Sequence, residues 1–174
     1  MKMHLHTALL AAALTATSVT AHASQTDITV WADVDPNLNL LRADGSALPA
    51  AVKLEYIPGG PSVPGGGLKT WEDQVRIHSN DEEKDVAVRL ANDPALISLR
   101  PGAASVPLAV SLNRKVLTVA AQDFTASDLF DGALPGASIA MPLTIGQATP
   151  GPITVAGRYE GMVSIVLAQK TASP

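Results

Sequence analysis

Cysteine is absent from this 174-residue chain, so no disulfide, thiolate nucleophile or Cys-ligated metal site can exist in it. Cohesion must come from packing and backbone pairing. Aromatic residues make up only 3%, which leaves the interior to Val, Leu, Ile and Ala, a composition that suits thin β layers. Basic clusters are also missing. With 12 Lys and Arg against 16 Asp and Glu and no block of like positive charge, the sequence excludes nucleic acid as a partner.

A long apolar run is missing too. The longest, Leu9 to Val19, is interrupted by Thr15, Thr17 and Ser18 and falls short of the roughly 20 residues that a spanning helix needs. Lys2 precedes it and Ala21-His22-Ala23 follows as a small-x-small site, so residues 1–23 read as a signal peptide and Ser24 as the first mature residue. The mature chain, about 150 residues, is a length that usually means one domain. It is destined for a compartment where disulfides could form, yet it has none to form.

Of the four histidines, His4, His6 and His22 lie in the leader, leaving His78. A lone imidazole cannot supply a zinc ligand set, and a triad needs a His held by a carboxylate. His78 is expected at the surface on a strand edge. No catalytic residue, metal ligand or cofactor is assigned, and the chain is read as a non-enzyme.

What remains reads as strands. Ile28, Val30, Ala32 and Val34 alternate with Thr29, Trp31 and Asp33, the signature of a strand with one apolar face. Asp35-Pro36 stops it, because Pro has no N–H for a ladder. Turn signals then fall at Ala43-Asp44-Gly45, Pro58 to Gly67, Asn80-Asp81, Asn92-Asp93-Pro94, Pro101-Gly102, Leu134-Pro135-Gly136 and Pro150-Gly151-Pro152. Between them Ala51–Ile57, Gln74–Ser79, Asp85–Ala91, Val106–Leu112, Val116–Ala120, Ser138–Ile145 and Gly161–Leu167 read as strands. Asp123–Phe130 reads as a short helix capped by Thr125 or Ser127. Nothing alternates strand with helix, so the expectation is an all-β, immunoglobulin-like sandwich.

Two motifs reduce to ordinary structure. Gly65-Gly66-Gly67-Leu68-Lys69-Thr70 places Leu68 where a phosphate loop needs contiguous Gly-Lys-Ser/Thr. Asp81-Glu82-Glu83 with Asp85 lacks the spacing of a calcium loop and is read as a solvated hairpin turn.

Ile28-Thr29-Val30 and Val34-Asp35-Pro36, followed by Leu40 to Pro49 and Ala51-Val52-Lys53-Leu54, resemble the start of the colonisation factor antigen fimbrial major subunits. Ala156 to Ser164 resembles their closing strand, and Val75, His78, Asn80 and Asp81 fall near their third strand. These are pilins of the alternate chaperone-usher class, which includes cable pilins. The Gly-rich stretch Gly59 to Gly67 departs from their pattern.

The resemblance implies an immunoglobulin-like domain at residues 37–174 that lacks its last strand. The donor segment at residues 24–36 of the next subunit would complete it. Ile28, Val30, Ala32 and Val34 would be the donor residues, and Val163, Ile165 and Leu167 would line part of the acceptor groove. The implied partners are copies of the chain itself, a periplasmic chaperone, an outer-membrane usher and a tip adhesin. The implied location is a cell-surface fimbrium. The rival is a free-standing secreted β-sandwich that binds carbohydrate or protein. Its sugar platforms would need exposed rings, and Trp31, Tyr56, Trp71, Phe124, Phe130 and Tyr159 are the aromatics on offer.

Overall fold

Runs of alternating apolar and polar residues become strands because a pleated backbone sends successive side chains to opposite faces. The computed structural model describes residues 37–59 and 65–170. The expected leader, the expected strand Ile28–Val34, the Asp35-Pro36 break and the centre of the Gly-rich loop lie outside them.

Among the described residues the elements run β1 (Leu38–Arg42), β2 (Tyr56–Ile57), β3 (Gly67–Leu68), β4 (Trp71–Ser79), β5 (Val86–Leu90), β6 (Ala95–Ser98) and β7 (Val106–Leu112). There follow β8 (Lys115–Leu117), β9 (Gln122–Phe124), α1 (Ala126–Leu129), β10 (Met141–Gln147), β11 (Tyr159–Glu160) and β12 (Ile165–Gln169). The larger sheet has the order β1-β4-β10-β7-β6-β11, with β8 also on β7; the smaller is β12-β5-β9, and β2 and β3 form a two-stranded ribbon. The fold is all-β apart from the single turn α1.

The two sheets enclose one core. Val75 and Ile77 of β4, Val110 and Leu112 of β7, and Met141 and Leu143 of β10 face Val86, Val88 and Leu90 of β5 and Phe124 of β9. Leu129 closes one side from α1, whose start is capped by Thr125 Oγ1 accepting from Asp128 N at 3.3 Å. Ser138 is a fully buried polar side chain, and its hydroxyl accepts from Ile77 N at 2.9 Å, which satisfies it.

Several expectations shift. β4 starts at Trp71 rather than Gln74, and β10 covers Met141–Gln147 rather than Ser138–Ile145. Only Tyr56–Ile57 of the expected strand Ala51–Ile57 pairs, against Gly67–Leu68; burial still alternates through the earlier residues, but no strand lies beside them. The acidic segment after β4 is not a hairpin turn. β4 and β5 belong to different sheets, so residues 80–85 form a crossover. There Glu82 accepts from Gly136 N and Asp85 accepts from Ala126 N at 2.9 Å. These carboxylates tie down loops. His78 lies inside β4 between β1 and β10, not on an edge, because Leu38–Arg42 adds a strand outside it. It is half-buried, and its Nε2 has no hydrogen-bond partner among the described residues.

The β7–β8 hairpin turns on Asn113 and Arg114, both with positive φ, +48° and +65°. A two-residue turn of this hand matches the twist of the strands, but its second position favours Gly, and a side chain there costs roughly 1 kcal/mol. Arg114→Gly is therefore expected to stabilise the domain by about 0.5–1 kcal/mol. Denaturant unfolding checks this; a lowered midpoint would contradict the turn assignment.

Candidate functional site

Burial falls within a single strand step at two places. Across the β12–β5 ladder, Ile165 faces Leu90 and Leu167 faces Val88. Leu90 and Val88 are 2% and 0% exposed, whereas Ile165 and Leu167 are only half-buried. The larger sheet repeats the pattern, because Leu40 faces Ile77; Ile77 is fully buried and Leu40 is not. Directly opposed residues share a sheet face, so the difference comes from what lies beyond the outer strand. Among the described residues β1 and β12 each have one strand neighbour. Their outer edges therefore hold backbone donors and acceptors with no ladder partner among the described residues.

A groove of about 420 Å³ runs between these edges. Leu38 and Leu40 form one wall, and Val163, Ile165 and Leu167 form the other. Trp71, Leu143 and Ile145 lie along the floor, and Leu48, Pro49 and Val52 from the segment after β1 add to the lining, with Asn39 at its rim. Leu38 and Leu40 share a face because Asn39 between them points outward, exposed to solvent. No lining residue is ionisable, so the groove offers apolar pockets and main-chain pairing, with no group for acid–base or nucleophilic work.

The three residues expected at the groove, Val163, Ile165 and Leu167, stand together there. The expected donor residues Ile28, Val30, Ala32 and Val34 lie outside the described residues. Sequence reasoning missed the wall from β1 and the floor from Trp71 and Ile145. The Leu38-Asn39-Leu40 alternation was the available signal, but it is brief and follows directly on a proline.

The end of β12 is pinned to both sheets. Gln169 Nε2 donates to Ser79 Oγ at 3.0 Å and to Asp81 O at 3.1 Å. Lys170 N donates to Asp85 O at 2.9 Å, and Lys170 Nζ to Asp123 Oδ2 at 2.6 Å. The strand can thus hold its line without a neighbour on its far side.

An all-β sandwich with two unpaired edges flanking an apolar groove defines an immunoglobulin-like domain that lacks a strand, the architecture of a pilin. The sequence matches the profile of the CS1 type fimbrial major subunit over residues 24–168. The chain is 38% identical over 154 residues to the CFA/I fimbrial B subunit of Escherichia coli, spanning 86% of this chain and 88% of that one. It is 33% identical over 157 residues to the CS1 fimbrial A subunit of Escherichia coli, spanning 87% and 88%. Its fold is similar to the CooA pilin from enterotoxigenic Escherichia coli, with a TM-score of 0.66, 30% identity and coverage of 79% and 90%. The chain belongs to the CS1 type fimbrial major subunit family. It is a structural pilin, a building unit of fimbriae exported to and displayed on the cell surface.

The hydrogen bond that Lys170 donates to the Asp123 carboxylate raises the lysine's pKa above its ordinary 10.5. A raised lysine contributes stability that is present below its unfolded pKa and lost as pH rises through the folded one. The pair is exposed, so the contribution at neutral pH is small. Lys170→Met should lower the melting temperature slightly at pH 7, and the difference from wild type should vanish above the lysine range. A difference that widened with pH would contradict the pairing.

Proposed function

We propose that the groove between β1 and β12 receives residues Ile28 to Val34 of a neighbouring copy, and that fimbriae grow by repeating this donation. The paired fall in burial at the two edges is the observation that supports it. An added strand would find a row of backbone groups on each side and apolar pockets for every second side chain, the requirements of β-augmentation. Ile28, Val30, Ala32 and Val34 supply that alternation, and Asp35-Pro36 ends it where the domain begins. Burying Ile28, Val30 and Val34 would contribute roughly 1.5–3 kcal/mol each, about 5–9 kcal/mol before ordering costs.

The remaining steps of assembly are those the resemblance to the fimbrial subunits implies. Removal of residues 1–23 frees a donor that starts at Ser24, leaving residues 24–36 as the donor segment and 37–174 as the acceptor domain. Before a neighbour arrives, open apolar edges are an aggregation hazard. A periplasmic chaperone covers them, an outer-membrane usher exchanges chaperone for donor, and a tip adhesin ends the fibre. The protein acts as a building unit and carries out no catalysis.

Deleting Gln25 to Val34 should leave a folded domain that cannot donate, so long filaments should disappear from the cell surface in electron micrographs. Appending Thr26 to Asp35 after Pro174 through a flexible linker, with the native donor deleted, should give a stable monomer. A tethered strand at roughly millimolar effective concentration outcompetes neighbours. In that tethered copy Val30→Asp with Val34→Asp should lower the melting temperature sharply, each charge costing several kcal/mol, whereas Thr29→Asp should change it little. Equal melting temperatures for inward and outward substitutions would overturn the proposal, as would normal filaments from the deletion.

A further inference from the structure

The two ends of the domain differ in charge and in exposed apolar surface. The upper end is where the described chain begins: Asn37 N donates to Asn80 Oδ1 at 2.8 Å, and Gln169 joins Ser79 there. It carries Asp81, Glu82, Glu83 and Asp85 of the crossover, with Lys84 among them and the Lys170–Asp123 pair beside them. Ser79 N donates to Gly136 O at 3.0 Å and Gly136 N to Glu82. These bonds bring the loop after α1 to the same end, with exposed Asp131 and Leu134.

The lower end is built by β6 and β11, where Leu96 faces Val106 and Tyr159 faces Ser98. Ile97, Leu99 and Met162 stand out there at 65%, 66% and 76% exposure. Arg100 and Arg158 border them, and Arg89 sits nearby at the lower end of β5. Arg158 pairs with Glu160 at 2.6 Å, while Arg89 and Arg100 have no ion pair among the described residues. Glu160 stands directly opposite Ile97 and Asp93 is exposed at the same end, so the end is mixed in charge with two arginines left over. Exposed apolar side chains bordered by arginine resemble the centre of a protein–protein interface more than ordinary solvated surface.

The covalent link restricts what can meet these ends. If Val34 ends the donated strand, as the donor reading holds, only Asp35 and Pro36 separate it from Asn37. Three Cα steps span at most about 11 Å. The donating copy must therefore set its own upper end against one end of the acceptor's groove. A strand running parallel to β12 would finish at the acceptor's upper end and bring carboxylates against carboxylates. A strand running antiparallel to β12 would finish at the lower end and bring carboxylates to Arg89, Arg100 and Arg158.

We propose that the upper end of each copy, with Glu83, Asp131 and Leu134, docks on the lower end of the next, with Ile97, Leu99, Met162 and the arginines. This second contact, which rests on the donor reading, sets the direction of the donated strand and the angle between successive copies. Exposed charges interact over about 10 Å at 0.1 M salt, so the contact favours the correct encounter and strengthens the completed joint.

Charge reversal in the full-length chain tests it. Arg100→Glu with Arg158→Glu should reduce surface filaments about tenfold, as should Glu83→Lys with Asp131→Lys. Combining the four should restore them, because each joint again pairs opposite charges. Periplasmic levels of soluble protein report folding of each variant. Wild-type filaments provide a measurement that needs no variant: their heat dissociation should occur at lower temperature in 1 M than in 0.01 M salt, as the screening length falls from about 30 Å to about 3 Å. Single-end reversals without effect, a combination that rescues nothing, or wild-type joints indifferent to salt would overturn the docking contact. If filaments still require Gln25 to Val34 in that case, the donor reading stands without it; filaments that form without those residues overturn both.

Discussion

Everything in this domain follows from a sandwich with one strand too few to close its own interior. β5 and β4 are sealed because strands flank them on both sides. β12 and β1 carry equally apolar inner faces, yet they end their sheets and leave those faces half-covered. With no cysteine to clamp the edges, the free energy of completing the interior is available to another chain.

The pinning of β12 is the necessary counterpart. An outer strand without a neighbour would ordinarily fray. Gln169 and Lys170 hold its end to the β4–β5 crossover and to β9, so that end is fixed by bonds within the domain. The acidic crossover thus has a structural part, through Glu82 and Asp85, beside the charge it gives the upper end.

Fold class was legible in the sequence because it depends on period: β4, β5, β7 and β10 alternate cleanly enough to be read without neighbours. That Val163, Ile165 and Leu167 share one apolar strand face was legible for the same reason, and they line the groove. The opposite wall was not. Leu38 and Leu40 become a wall only because β1 pairs with β4, and pairing partners lie far apart in the chain. Crossovers were hidden too, since Asn80 to Asp85 reads equally as a hairpin turn or a step between sheets; what decides is whether Val86 buries against β4's sheet or opposite it. His78 was misplaced by the same blindness to β1.

If the groove receives a neighbour's strand as proposed, its two flanking edges also bear on how a fibre takes load. A strand between β1 and β12, which run in opposite directions, pairs antiparallel with one and parallel with the other, with ladder bonds perpendicular to the strands on one side and slanted on the other. A strand drawn lengthwise from between β1 and β12 must slide against both edges together, so its bonds resist in concert; one peeled sideways would lose them one after another. Pilins joined in this way would meet tension along the fibre axis with the stronger of these two modes.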